Sequence, residues 1–122
     1  THFTFMALPE TTQTTFIKLG RRNAQAISRL TVAALGKTDA QGRVDFVRVT
    51  PGAATPGTRR FTEVEEMLLG KTISNELLTN AGQKAAEVMV KITGRRWSTE
   101  YKELAIAALT ERALTHLFFT KN

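Results

Sequence analysis

The chain has 122 residues, 42% of them hydrophobic, no cysteine, and 17 Lys and Arg against 11 Asp and Glu, for a net charge of +6. One domain is expected, burying roughly two-thirds of its unfolded surface, with a core that needs no covalent staple. The missing cysteines exclude disulfides, iron–sulfur ligation and thiolate zinc sites in the chain itself. No apolar run approaches the roughly 20 residues of a membrane helix, and no basic stretch leads into a hydrophobic leader, so a soluble, cytoplasmic protein without membrane contact is expected. The basic residues are scattered from Lys18 to Lys121, which reads first as a solvated surface. Because residue 1 is Thr, the chain reads as a piece of a larger protein.

The first part of the chain reads as strand and turn. His2 to Leu8 is rich in Phe and Thr and stops at Pro9, which cannot donate to a sheet ladder; Thr14 to Leu19 and Ile27 to Leu35 come next as further extended segments. Leu30, Val32 and Ala34 share one face, opposite Arg29 and Thr31. Asp39-Ala40-Gln41-Gly42 has Asp to open a turn and Gly for positive φ, which makes an antiparallel hairpin with Arg43 to Thr50. Alternation slips at Phe46-Val47, so either a bulge sits there or both faces are covered. Pro51 to Gly57 is rich in Pro and Gly and ends the sheet.

The remainder of the chain reads as helical. Thr62 to Leu69 carries an apolar stripe of Val64, Met67 and Leu68, with Thr62 and Glu65 spaced as a capping box and Gly70 as the stop. Ser74 caps a second helix, whose buried stripe is Leu77, Ala81, Ala85, Val88 and Ile92; Gly82 weakens it by about 1 kcal/mol relative to Ala, which suggests close packing, and Gly94 ends it. Ser98 caps a third helix with two stripes, Tyr101, Leu104, Ala105, Ala108 and Arg112 on one side, and Ile106, Leu109, Ala113 and Leu117 on the other. Two stripes predict a helix that touches both sheet and helices. Strands followed by helices give an α+β fold, an antiparallel sheet of three or four strands (about 1–52) packed on three helices (about 58–120), in one domain spanning 1–122.

Catalytic chemistry has few candidates. His2 and His116 are the only histidines, and His116 reads as a complement to the dipole of the last helix. No metal cluster assembles around either. Ser28, Ser74 and Ser98 lack a nucleophile-elbow setting, and Glu63, Glu65 and Glu66 are what a helix N-terminus favours. Two basic clusters remain. Arg95 and Arg96 beside Trp97 are the one place where cations meet an aromatic, as nucleic-acid binding would want, although Trp97 reads first as a plug at the helix start. Lys18 alternates with Phe16 and is followed by Gly20, Arg21 and Arg22, a pattern able to bring a cation and backbone amides to an anionic cofactor edge.

Taken in order, several segments resemble the C-terminal domain of the FAD-binding subunit of molybdenum hydroxylases, the xanthine dehydrogenase and carbon monoxide dehydrogenase flavoprotein family. They are Phe16-Ile17-Lys18-Leu19-Gly20-Arg21-Arg22, Ala26-Ile27-Ser28, Thr31-Val32-Ala33-Ala34, Gly52-Ala53-Ala54-Thr55-Pro56, Glu65-x-x-Leu68-x-Gly70, Arg96-x-Ser98-x-Glu100-Tyr101-Lys102 and Leu109-x-x-Arg112-Ala113-Leu114. The likeness runs over about residues 14–117. His2 to Leu8 looks like the family's lead-in strand.

The resemblance implies a supporting domain of an oxidoreductase that is not active by itself. Its partners would be the N-terminal FAD-binding domain of the same subunit and iron–sulfur and molybdopterin subunits, so that FAD is held mostly elsewhere and molybdopterin and [2Fe-2S] clusters lie only in the partners. Electrons would pass from those clusters through FAD to an acceptor. Lys18, with Phe16 and Ile17, would border the FAD edge, and the loop Arg21, Arg22 and Asn23 would border the acceptor side; that loop has no carboxylate, unlike the animal xanthine dehydrogenases. Arg96 and Tyr101 match positions that look structural, capping and packing the last helix, and Arg59 is given no role because its arginine is one place off the family pattern. Two other readings stand beside this one: a small basic nucleic-acid-binding module using Arg95, Arg96 and Trp97, and an interaction domain of the same fold without a flavin.

Overall fold

The fold, obtained as a computed structural model, describes residues 1–20 and 28–119. Its elements are β1 (Gln13–Gly20), β2 (Ser28–Thr38), β3 (Val44–Gly52), α1 (Thr62–Leu68), α2 (Asn75–Thr93) and α3 (Thr99–Phe119). The strands form one antiparallel sheet in the order β1-β2-β3, and the helices cover one face of it. This is the α+β arrangement expected, with three strands among the described residues. Residues 2–8 are not a strand: the arm has no sheet partner among the described residues, and Phe3, Phe5 and Met6 are 94%, 86% and 87% exposed. A strand is stabilised by a ladder partner or an apolar surface to lie on, and this segment engages neither among the described residues.

The turn between β2 and β3 forms as its residue types require. Gly42 has φ +80°, and Asp39 Oδ1 accepts from the backbone N–H groups of Gln41 and Arg43, both at 2.9 Å. The Arg43 N–H is the main cause that lowers the Asp39 carboxyl below the usual aspartate range, with Gln41 adding to it against a desolvation that acts in the opposite direction. The slip at Phe46-Val47 is a bulge. Lys37 pairs with Phe46 and Thr38 with Val44, so Asp45 has no opposite residue, and Val44, Val47 and Val49 all reach the core although Val44 is an odd number of places from Val47. Asp45 instead makes a salt bridge with Lys37.

β3 runs through Pro51 to Gly52, beyond the expected end of the sheet. It can do so because β3 is an edge strand, where a residue without an N–H is tolerated. The rest of that edge is covered. Val44 exchanges backbone bonds with the 70–71 turn, Val49 O accepts from Phe61 N–H at 2.8 Å, and Val49 N–H donates to Glu65 Oε1 at 2.9 Å. Thr62 and Glu65 are therefore not a capping box. The residue before the helix is Phe61, which makes no side-chain cap, and Glu65 turns inward to the strand, where Arg60 also clamps it through Nε at 3.1 Å and NH2 at 2.9 Å. A buried backbone donor outcompetes the helix end for this carboxylate because leaving it unpaired would cost about 1–3 kcal/mol.

Ser74 does cap α2, accepting from Leu77 N–H at 3.1 Å. Gly82 of α2 lies against α3, where a Cβ would sit 2.5 Å from the carbonyl oxygen of Ala107. The core joins Leu30, Val32 and Ala34 of β2 and Val47 and Val49 of β3 to Phe61, Leu68, Leu78, Ala85, Met89, Ile106, Ala113 and Leu114. Each large apolar side chain so buried contributes roughly 1.5–3 kcal/mol. α3 packs on α2 and on the sheet through Ile106, Leu109, Ala113, Leu114 and Leu117. Its other stripe is mostly open: Tyr101 is 48% exposed, Leu104 73%, and Ala108 and Arg112 are exposed too, while Ala105 packs against the core. One stripe suffices for both contacts because α3 lies in the groove between α2 and the strands.

Candidate functional site

The helices leave the second face of the sheet uncovered, and the register arranges it in three rows. Thr14, Leu35 and Arg48 form one, Phe16, Ala33 and Thr50 the next, and Lys18, Thr31 and Gly52 the third. Phe16 is 64% exposed, and Lys18 is exposed and makes no ion pair with any described residue. Small residues beside them keep the surface shallow. Gly52 is held small by its neighbour, since a Cβ there would lie 2.2 Å from Thr31 Oγ1. At the far end, the Arg48 guanidinium stacks 4.4 Å from the Phe46 ring centre and donates to Val47 O at 2.8 Å, which orders that cation in place.

Of the residues expected at a cofactor edge, Phe16 and Lys18 thus share the open face, while Ile17 points the other way and packs against the core. Period-2 alternation made that split unavoidable. Arg21, Arg22 and Asn23 lie outside the described residues. The three rows carry two cations, Lys18 and Arg48, an exposed ring and no carboxylate; the next pair along the same face, Lys37 and Phe46, adds a third cation, which Asp45 neutralises. The face suits a flat group bearing negative charge on one edge.

A second concavity lies where the end of the sheet meets the start of α3. It encloses about 340 Å³, lined by Ala53 to Pro56, by Met89 and Thr93 of α2, and by Arg96, Ser98, Thr99 and Lys102. Trp97, expected as a plug, is 97% exposed and fills nothing. The Arg96 side chain is exposed and that of Tyr101 half exposed. α3 is started instead by Thr99, whose Oγ1 accepts from Arg96 N–H at 2.7 Å while its own N–H donates to Arg96 O at 3.0 Å. Among the described residues there is no cluster of His, Cys, Asp or Glu able to hold a metal. No described helix is long and apolar enough to cross a membrane.

Residues 15–117 match the family of the CO dehydrogenase flavoprotein C-terminal domain. The chain belongs to that family. Solved structures agree on the fold. Carbon monoxide dehydrogenase from Hydrogenophaga pseudoflava, in a form lacking the Mo-pyranopterin moiety of the molybdenum cofactor, is 21% identical with a TM-score of 0.79, over 93% of this chain and 39% of that one. Quinoline 2-oxidoreductase from Pseudomonas putida 86 is 18% identical with a TM-score of 0.74, over 91% and 38%. Reconstituted CO dehydrogenase from Oligotropha carboxidovorans is 14% identical with a TM-score of 0.78, over 93% and 39%. No curated protein matches the chain. This flavoprotein C-terminal domain therefore spans about two-fifths of the length of the chains whose fold it shares.

Proposed function

We propose that the chain is the C-terminal domain of the FAD-binding subunit of a molybdenum hydroxylase, and that its open sheet face lies against the flavin. The single observation that carries this reading is the row of Lys18, Thr31 and Gly52 beside that of Phe16, Ala33 and Thr50: an ammonium without an acidic partner among the described residues and an exposed ring on a shallow surface, in a chain of a flavoprotein family. FAD, when bound, supplies hydride and single-electron chemistry that no side chain of this domain provides. The domain's own contribution is to fix a positive charge at the Lys18 Nζ and to exclude water from the surface it covers. A fixed cation there favours the more anionic, reduced form of a flavin and so raises its potential.

In this reading most FAD contacts come from an N-terminal domain of the same subunit, and the molybdopterin and [2Fe-2S] clusters reside in partner subunits that feed electrons through the flavin to an acceptor in the cytoplasm. The isolated chain catalyses nothing. The test is retention of FAD through a desalting column. The 122-residue chain is expected to lose FAD, and the complete subunit to retain it in equal molar amount. Stoichiometric retention by the chain alone would contradict this division of labour.

A further inference from the structure

The cleft at the start of α3 has no part in the flavin reading, because it opens on the helix side of the sheet and not on the Lys18 face. Three of its properties point to a ligand. First, Arg96 and Lys102 line it from two different segments, and neither makes an ion pair with any described residue. Cations that lack acidic partners in a concave site are poised for an external anion. The nearby acids do not neutralise them: Glu103 is engaged by Arg95 at 3.2 Å, and neither Glu100 nor Glu103 lines the cleft. Second, the wall between the cations carries the hydroxyls of Ser98 and Thr99, each with a proton to donate to the acceptor oxygens of a phosphate, while those of Thr55 and Thr93 already donate to Gly57 O and Met89 O.

Third, a neighbouring hollow of about 410 Å³ is lined by Leu30, Trp97, Ser98, Tyr101 and Lys102. It shares Ser98 and Lys102 with the first, so the two hollows adjoin across those residues, one of them cationic and the other aromatic. Trp97 projects at 97% exposure beside it, able to lie along one face of a planar ring. Together the hollows match a molecule with phosphate at one end and a flat heterocycle at the other. We propose that this cleft binds a nucleoside phosphate, with the phosphate between Arg96 and Lys102 and the base against Trp97.

Trp97 is the chain's one tryptophan, so its fluorescence reports on the site directly. ADP, inorganic phosphate and adenosine are titrated separately into the 122-residue chain, with backbone amide NMR shifts read alongside. ADP is expected to quench saturably and to shift amides of residues 53–56 and 96–102, phosphate to displace it, and adenosine to bind at least about tenfold more weakly. Arg96→Ala and Lys102→Ala are each expected to weaken ADP about tenfold, whereas Lys71→Ala, on the turn at the opposite end of β3, leaves it unchanged. Circular dichroism confirms that the variants are folded, and Arg96→Lys, which keeps the charge, is expected to restore most of the binding. Equal affinity for ADP and adenosine, equal loss in Lys71→Ala, or binding of a single-stranded oligonucleotide without binding of ADP would each overturn the proposal, the last in favour of a nucleic-acid surface.

Discussion

Glu65 shows how one side chain can connect two elements. The residue is 5% exposed, and its carboxylate accepts from the backbone of β3 and from both Nε and NH2 of Arg60, and so ties the edge strand to α1. Glu65→Ala would leave the Val49 N–H buried without a partner and Arg60 without its counter-charge, and is expected to cost about 2–3 kcal/mol in urea unfolding. Arg60→Ala should cost less, about 1 kcal/mol, because the guanidinium is half exposed and the Val49 bond survives. Equal losses would mean that the strand bond contributes nothing. The Thr62 and Glu65 spacing is a sound signature of a capping box in isolation, and what it lacks is any sign that a strand donor 16 residues earlier competes for the same oxygen.

Among the elements, α2 and α3 meet so closely at Gly82 that this position decides their separation. Gly82→Ala gains about 1 kcal/mol of helix propensity and then drives a Cβ to 2.5 Å from the Ala107 carbonyl, so a net loss of about 1–2 kcal/mol is expected on thermal or urea unfolding. A stabilised variant would show that the helices can part freely. The weak helix former in the middle of α2 already suggested such a contact in the sequence. The break in alternation at Phe46-Val47 was equally legible, as either a bulge or a strand covered on both faces, and the bulge at Asp45 is what lets Val44 and Val47 share the covered face. The two stripes of α3 were visible, but not that one stays open. Periodicity reports which side chains share a face, and not whether anything in the chain lies against it. The same limit explains the arm at 2–8, whose Phe and Thr content favours a strand, although it pairs with no ladder among the described residues.

For the molecule as a whole, two apolar and cationic surfaces remain open: the sheet face carrying Phe16 and Lys18, and the outer side of α3 with Trp97, Tyr101 and Leu104. The first was legible in the sequence, since Phe16 and Lys18 lie two apart on an extended segment that resembles a flavin neighbour. The second was not, because an arginine pair beside a tryptophan looks the same whether the ring is buried or free. The match over residues 15–117 and the shared fold place this domain in a flavoprotein family, and on the proposed reading the uncovered sheet face is where a flavin held by another domain would meet it. The most direct test is the midpoint potential of the flavin in the complete subunit carrying Lys18→Met, a substitution on an exposed position that keeps chain length and removes only the charge. A potential shifted downward relative to the unaltered subunit is the result this account requires, and an unchanged potential in a folded, FAD-loaded variant would contradict it.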